Sequence, residues 1–404
     1  MLPADVPTET RPPASASTTQ ELLARLVAFD TTSRNSNLEL IGFVREQLDR
    51  HGVAVRESRG EDGRKANLHA VIGPRVAGGL ALSGHVDTVP VDGQAWTSDP
   101  FVLRQSEGRL YGRGACDMKG FVAAMLAAIP ALMALRLTRP IHLFITFDEE
   151  VSMAGARRLI ETLDEPPAGE SWPPPALCVV GEPSLMLPIV GHKGRLAAHA
   201  RVRGRSGHSS DPARGVNALH AAAEAIAWIA AEARRLAAEG PFADGFQPPH
   251  TTLQVGTIQG GSSLNIIPEH VEFTIEWRPI PGVDAMALLE RVRRHCATEI
   301  EPAMRAVDPA CGFTFTVTDW VPGMSLPEDH ALATLVRRAA HSNSAGHVSF
   351  ATEGGLYEEA GIPTIVCGPG SITEAHAADE WIARSQLDAC DAFIARLAQS
   401  CVTP

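Results

Sequence analysis

The chain has 404 residues, a formal net charge of −12 and a hydrophobic fraction of 45%. This length favours two or three domains, and the acidic balance without a Lys- or Arg-rich block argues against nucleic acid as a partner. No uninterrupted run of about 18 apolar residues occurs, so neither a membrane span nor a membrane partner is predicted.

The N-terminal segment and the cysteines indicate a cytoplasmic protein. Residues 1–20 are rich in Pro, Ser and Thr and lack the apolar or Arg-rich pattern of a signal or transit peptide, so we expect a flexible tail. The seven cysteines are scattered without a C-x-x-C pair. That pattern favours neither a disulfide framework nor a thiolate zinc site and is typical of a reducing compartment.

Amphipathic helices alternate with short apolar strands in the first half of the chain. The predicted elements are helices at 20–29 and 38–51 and strands at 81–84, 141–147 and 176–180. Because these strands are apolar throughout, we expect them to be buried on both faces of a mostly parallel sheet. Functional sites of open α/β sheets form at the carboxyl ends of the strands.

A different order of elements begins after Lys193 and predicts an inserted domain. It consists of a strand at 195–203, a helix at 214–238, strands at 251–258 and 270–277, a helix at 283–300 and a strand at 312–318. This βαββαβ order is that of a ferredoxin-like unit. A helix at 331–340 and an apolar strand at 363–367 then resume the first pattern. The predicted fold is therefore α/β, with a catalytic domain at 1–191 and 320–404 and an insert at 192–319.

Five acidic or imidazole residues follow the apolar runs and suggest a metal centre: His85, Asp117, Glu150, Glu182 and His376. A hydrolytic two-metal site needs imidazole and carboxylate ligands, with one carboxylate bridging ions about 3.5 to 4 Å apart. We assign His85 and Glu182 to one ion and Glu150 and His376 to the other. Asp117 is assigned to both. Two divalent ions are expected, zinc in the first place and cobalt as the alternative, because the same donors accept either metal.

Two further acids lie beside these ligands. Asp87 follows His85 by two residues and is placed to accept the second N–H of that imidazole, which would fix its tautomer. Glu149 precedes Glu150 and is not needed as a ligand, so we predict that it is the general base.

Several sequence strings resemble the M20 family of co-catalytic metallo-aminoacylases and carboxypeptidases. They are SGHVDTVP at 83–90, YGRGACDMKG at 111–120, DEE at 148–150, GEP at 181–183 and GHSS at 207–210. The resemblance extends over most of the chain from residue 20 onward. It implies the same metal ligands, with Glu149 as the base and Asp87 as the residue that orients His85.

Longer strings narrow the expected activity within this family. They are SMAGAR at 152–157, HKG at 192–194, GHSSDPARGVNA at 207–218 and GPGSI at 368–372. These strings are most similar to members that remove the acetyl group from N2-acetyl-L-ornithine in arginine biosynthesis. The alternatives are a succinyl-diaminopimelate desuccinylase, another N-acyl-amino-acid deacylase or a dipeptidase of the same family. A non-catalytic, metal-stabilised binding protein is a more distant alternative, since a binder has no need of Glu149.

The resemblance also implies a homodimer and a set of substrate contacts. The insert would mediate dimerisation, and His208 would reach the active site of the neighbouring copy to stabilise the oxyanion. Asn265 and Arg278 are expected to hold the carboxylate of a small N-acyl amino acid, since an Arg side chain can bind a carboxylate through two hydrogen bonds. Thr352 and Glu353 match a substrate-facing segment. A cis peptide bond is expected after Asp117.

Overall fold

A computed structural model describes residues 17–163 and 172–402 of the chain. Residues 1–16 of the predicted tail lie outside the described residues. The first helix begins at Thr19, one residue before the predicted start, and the side chain of Thr18 accepts a hydrogen bond from the backbone N–H of Glu21. The Glu21 carboxylate accepts the backbone N–H of Thr18 in return, which is the reciprocal arrangement of a capping box.

The described part of the chain contains the following helices and strands. The helices are α1 (Thr19–Val27), α2 (Leu38–Arg50), α3 (Lys119–Met133), α4 (Ala154–Leu163), α5 (Ala218–Glu239), α6 (Ala285–His295), α7 (Glu301–Val307), α8 (Ala331–Ala340), α9 (Gly354–Glu359) and α10 (Arg384–Gln399). The strands are β1 (Ala54–Arg59), β2 (Ala66–Ile72), β3 (Leu80–His85), β4 (Arg104–Ser106), β5 (Arg109–Tyr111), β6 (Ile141–Thr146), β7 (Leu177–Pro183), β8 (Ile189–His192), β9 (Arg195–Arg203), β10 (Gly207–His208), β11 (Thr252–Gly260), β12 (Ile266–Ile267), β13 (His270–Arg278), β14 (Gly312–Val321), β15 (Met324–Ser325), β16 (Gly346–Val348), β17 (Thr364–Gly368) and β18 (Trp381–Ala383).

The large sheet has the strand order β1-β2-β6-β3-β7-β17-β8-β15, and β16 pairs with β8. Its four central strands, β6, β3, β7 and β17, are parallel to one another. Alternate residues of β3 face two different cores: Leu80 and Leu82 pack with α1, α2, α3, α8 and α10, whereas Ala81 packs with α4 and α9. The predicted parallel sheet, buried on both faces, is confirmed.

The second sheet has the order β11-β13-β9-β14, and all its pairs are antiparallel. Buried and more exposed residues alternate along β9, because only one face packs against the core that contains α5, α6 and α7. The connections β9-α5-β11-β13-α6-β14 are those of the predicted ferredoxin-like unit.

Two predicted helix boundaries in this unit were wrong. The helix predicted from residue 214 begins at Ala218, because 212–214 form a separate 3₁₀ turn and Asn217 caps α5 through its side chain. The helix predicted to end at residue 300 continues through a π-helical turn, Cys296–Ile300, into α7. Pro302 lies in the first turn of α7, where a missing N–H is tolerated.

Two adjacent connections join the sheets. The chain passes from β8 to β9 through 193–194 and returns from β14 to β15 through 322–323. The N–H of Gly194 donates to the carbonyl of Pro279 (2.8 Å), and a Cβ on Gly194 would lie 2.6 Å from the carbonyl oxygen of Val321. The predicted domain boundaries at residues 192 and 319 stay predictions.

All seven cysteines are free and buried. Within residues 17–163 and 172–402, no helix combines the length and the apolar character needed to cross a membrane.

Candidate metal centre

His85 occupies the carboxyl end of the central strand β3, and its imidazole is almost fully buried. Its Nε2 atom lies 3.1 Å from Oδ1 of Asp117 and 3.5 Å from Oε1 of Glu182, which is the penultimate residue of the neighbouring strand β7. Because β3 and β7 are parallel neighbours, their carboxyl ends bring these groups together. His85 and Glu182, the two residues predicted to bind one ion together with Asp117, therefore lie close together.

Asp117 lies between two imidazoles. Its Oδ1 faces Nε2 of His85 at 3.1 Å, and its Oδ2 faces Nε2 of His376 at 3.2 Å. The peptide bond from Asp117 to Met118 is cis, as the resemblance implies. A carboxylate that offers one oxygen to each side has the arrangement that a ligand shared by two ions requires.

The second half of the site is more open to solvent. Nε2 of His376 also lies 3.1 Å from Oε2 of Glu150, and the His376 side chain is 50% exposed whereas that of Glu150 is 6% exposed. His376 has a left-handed backbone, with φ of 61°, in the loop after β17. Solvent therefore reaches the centre on the His376 side.

The donor atoms are close enough to hold cations. One atom each from His85, Glu149 and Glu182 lie within 4.8 Å of one another, and so do one atom each from His85, Asp117 and Glu150. Among the described residues, Oε1 of Glu150 and Oε1 of Glu182 are buried without a hydrogen-bond donor. Buried carboxylate oxygens without donors are costly unless a cation is bound. The residues present therefore fit a pair of divalent metal ions.

The pKa values of the buried carboxyl groups reflect the same excess of negative charge. Burial, together with the neighbouring carboxylates, raises the pKa of Glu149 and of Glu182 well above its ordinary value. Burial also opposes ionisation of Asp117, but hydrogen bonds from His376 and His85 outweigh it and lower the pKa of this carboxyl. Nearby cations would reverse the cost of ionising the glutamates.

Asp87 connects His85 to the segment that carries both glutamates. Its Oδ1 accepts the backbone N–H of Glu149 (3.0 Å), and its Oδ2 accepts the backbone N–H of Glu150 (3.3 Å) and the hydroxyl of Ser33 (2.7 Å). Nδ1 of His85 is 3.0 Å from the carbonyl of Asp87 and 3.5 Å from its carboxylate. Asp87 thus acts on the imidazole chiefly through its main chain and on the glutamates through its side chain.

Sequence reasoning missed several residues that hold this loop. Asp148 has a left-handed φ of 58°, and Nζ of Lys65 contacts both its carboxylate and the carbonyl of Ser33. The left-handed conformation turns the chain directly after β6, so that Glu149 and Glu150 face the centre. Asp148 was visible in the string DEE, but no sequence pattern distinguishes Lys65 or Ser33.

Thr352 and Glu353 are buried, and Glu353 contacts Ser83 of the central strand β3. Oε2 of Glu353 accepts from the hydroxyl of Ser83 (3.3 Å) and from that of Tyr357 (3.4 Å), and burial raises the pKa of Glu353 to about 7. The hydroxyl of Thr352 accepts the N–H of Gly354 (3.0 Å). The hydrogen-bond partners of both residues lie within the protein. The predicted contact of this segment with substrate stays a prediction.

The three predicted residues of the insert have local partners within one chain. Nδ1 of His208, which is exposed, lies 2.7 Å from the hydroxyl of Ser210. The carbonyl of Asn265 accepts the N–H of Ser209 (3.1 Å), and Arg278 pairs with Glu276 at 2.7 Å. Their predicted roles need a second copy or a substrate and stay predictions.

A cluster of imidazoles and carboxylates at the carboxyl edge of a parallel sheet is the arrangement expected of a metal-dependent hydrolase. The sequence profile of peptidase family M20/M25/M40 matches residues 81–400, and the chain belongs to this family.

Curated relatives and solved structures agree with this family. The chain is 38% identical over 382 residues to acetylornithine deacetylase of Myxococcus xanthus, covering 93% of this chain and 95% of the relative. It is 35% identical to acetylornithine deacetylase of Photorhabdus laumondii, covering 92% of each chain. The fold is similar to that of aminopeptidase PepT from Bacillus cereus, with a TM-score of 0.74, 19% identity and coverage of 95% of this chain and 98% of that one. An M20 metallo-carboxypeptidase from Sulfolobus solfataricus also gives a TM-score of 0.74, with 16% identity and coverage of 95% and 99%.

Proposed function

We propose that this protein is a dinuclear amidohydrolase that converts N2-acetyl-L-ornithine and water into L-ornithine and acetate. The observation that carries the hydrolytic site is Asp117, whose two oxygens face the imidazoles of His85 and His376 at 3.1 and 3.2 Å. The relatives named acetylornithine deacetylase support the choice of substrate. The same relationship favours a role in arginine biosynthesis and a cytoplasmic location.

We divide the proposed ligands between two ions according to the distances between their donor atoms. His85 and Glu182 would hold one ion, Glu150 and His376 the other, and Asp117 both. Zinc is the proposed metal and cobalt the alternative, because imidazole and carboxylate accept either. Two such ions would polarise the amide carbonyl and lower the pKa of the attacking water.

Glu149 is the proposed general base. Its backbone N–H donates to Asp87, the residue is 8% exposed, and one of its carboxylate oxygens lies within 4.8 Å of donor atoms of His85 and Glu182. It would take a proton from the attacking water and give it to the nitrogen of the departing amine. The water oxygen first adds to the amide carbon and forms the new C–O bond. The C–N bond then breaks as its nitrogen takes up the proton, which leaves acetate and the free α-amine of ornithine.

A second copy of the chain would complete the site. His208 lies in the short strand β10, and its exposed side chain contacts Ser210 of the same chain. From the partner copy it would donate a hydrogen bond to the oxyanion of the tetrahedral intermediate. Asn265 and Arg278 would bind the α-carboxylate of the substrate, and Thr352 and Glu353 would border its side chain.

The test is a substrate comparison with chelator-treated protein and with protein restored by zinc or cobalt. Release of acetate and amine is measured on N2-acetyl-L-ornithine, N-acetyl-L-methionine, N-succinyl-diaminopimelate and a dipeptide. A metal-dependent preference for acetylornithine is expected. Preference for another substrate would refute the substrate proposal and keep the hydrolytic site, whereas no hydrolysis of any of the four by metal-loaded protein would refute both.

A further inference from the structure

Glu380 is a buried carboxylate with an unusually complete set of donors. Its side chain is 1% exposed, and it lies directly before β18, four residues after His376. Oε2 accepts from Nη1 of Arg113 (2.7 Å) and from the N–H of Gly114 (3.1 Å). Oε1 accepts from the N–H of Cys116 (2.8 Å) and from that of Asp117 (3.1 Å).

These donors belong to one turn, residues 112–117, which ends at the bridging carboxylate. The main-chain carbonyl of Glu380 accepts the N–H of Gly112 (2.9 Å), so both the main chain and the side chain of Glu380 bind this turn. Gly114 has φ of 77°, and a Cβ there would lie 2.7 Å from the side chain of Thr88. The left-handed residue curls the turn so that its N–H groups converge on one carboxylate, as in an anion-binding nest.

The same network reaches the imidazole on the other side of the centre. Nη2 of Arg113 donates to the side-chain oxygen of Gln94, and Nε2 of Gln94 donates to the carbonyl of His376 (2.8 Å). The guanidinium of Arg113 is buried and lies over the ring of Trp96. Glu380 is therefore linked to Asp117 directly and to His376 through Arg113 and Gln94.

We propose that Glu380 is a positioning residue that fixes the bridging carboxylate of Asp117 relative to His85 and His376. It acts through the backbone N–H of Asp117 and leaves both carboxylate oxygens of that residue free to bind metal. This inference rests on the proposed metal centre. Groups that orient metal ligands change metal affinity or activity by about 10- to 100-fold when they are replaced.

The first test compares Glu380→Gln with Glu301→Gln. Glu301 is also buried and accepts a backbone N–H, that of Phe313 (2.8 Å), and also pairs with an arginine, Arg305 (2.7 Å), but it lies in the insert. Binding of Co²⁺ to chelator-stripped protein is measured by calorimetry and by the absorption of the bound ion. Thermal unfolding of the metal-free proteins gives the structural cost of each change separately.

Glu380→Gln is expected to weaken Co²⁺ binding by about 10- to 100-fold and to lower kcat with little change in KM, because the amide NH₂ faces N–H donors. Glu301→Gln should lower the stability only. If both variants bind Co²⁺ as the wild type does, or lose affinity equally, Glu380 has no positioning role. If the wild-type protein itself binds no Co²⁺, the proposed metal centre fails instead.

A milder variant covers the case in which Glu380→Gln does not fold. Gln94→Ala removes the link between Arg113 and the His376 carbonyl and leaves the buried carboxylate in place. Co²⁺ affinity should fall at one of the two sites, with the other unchanged. Unaltered binding at both sites in this variant would overturn the proposed link to His376, and Glu380→Asp, which shortens the side chain, would then test the direct link to Asp117.

Discussion

Replacing Glu149 with Gln is expected to remove most of the turnover while both ions remain bound. The backbone N–H of Glu149 donates to Asp87 (3.0 Å), so the glutamine should occupy the same position, and it has the same size. Loss of a general base lowers the rate by about 100- to 10,000-fold. At about 1.4 kcal/mol for each factor of ten, this corresponds to about 3 to 5 kcal/mol of transition-state stabilisation.

The assay needs a matched ligand variant, because the geometry alone allows Glu149 to bind metal. One donor atom of Glu149 lies within 4.8 Å of both His85 and Glu182, and both glutamates are buried. Glu182→Gln therefore serves as the comparison. Metal content after dialysis and kcat on acetylornithine are measured for both variants. Glu182→Gln should lose one ion, whereas Glu149→Gln should retain two.

Two results would refute this assignment. Loss of an ion from Glu149→Gln would make Glu149 a ligand, and the base would have to be sought elsewhere. Wild-type turnover with two ions bound would exclude Glu149 from proton transfer altogether.

Three other perturbations test separate parts of the molecule. Co-expressed His208→Ala and Glu149→Gln chains should recover about a quarter of wild-type activity. Half of the dimers are mixed, and in each of these one site combines an intact Glu149 with an intact His208 from the other chain. No recovery would contradict a role for His208 across the dimer. In metal-free protein, hydrogen bonds to Asp117 and Glu150 raise the pKa of His376 to about 10. The stability from this contact is complete below pH 6.5 and is lost as the pH rises toward 10. The melting temperature should therefore fall over that range, and saturating zinc should abolish the fall; a flat profile without metal would contradict the coupling. Burial lowers the pKa of His142 from 6.5 to about 4, so stability is lost as the pH falls through that window. In denaturant titrations, His142→Gln should reduce the loss of unfolding free energy between pH 6.5 and pH 4 by about 3 kcal/mol. If this loss is unchanged in the variant, it arises from other groups.

The parts of the fold that sequence patterns predict are those with a strong period. Strands such as β3 are apolar at every position because both faces are covered, and β9 alternates because only one face is. The predicted ligands could be brought together without a structure because each follows such a strand or a glycine turn, and carboxyl ends of parallel strands share one edge. The resemblance to a known family supplied the cis bond at Asp117, which periodicity does not indicate.

The residues proposed to orient the ligands have no such signal. Lys65, Ser33 and Glu380 meet partners that are distant in sequence: Lys65 contacts the carboxylate of Asp148, Ser33 donates to the carboxylate of Asp87, and Glu380 accepts main-chain N–H groups. Left-handed residues such as Gly114 and Asp148 shape the turns in which these contacts form. Local propensity does not specify which carbonyl or N–H a side chain will meet after folding. The continuation of the helix from α6 through a π-helical turn into α7 was missed for a related reason, since the hydrogen bonds that define this turn have no signature in the sequence.

Two buried carboxylates hold the candidate centre by the same physical means. Asp87 accepts the backbone N–H groups of Glu149 and Glu150, and Glu380 accepts that of Asp117. In each case the anchor binds the main chain of a proposed catalytic or ligand residue, so the carboxylate of that residue remains available. A side-chain anchor would compete with the metal for the same oxygens. Anchoring through N–H groups instead fixes the position of the proposed ligands while concentrating negative charge. Burial and this charge together raise the pKa values of Glu149 and Glu182, and a bound divalent cation would offset the charge.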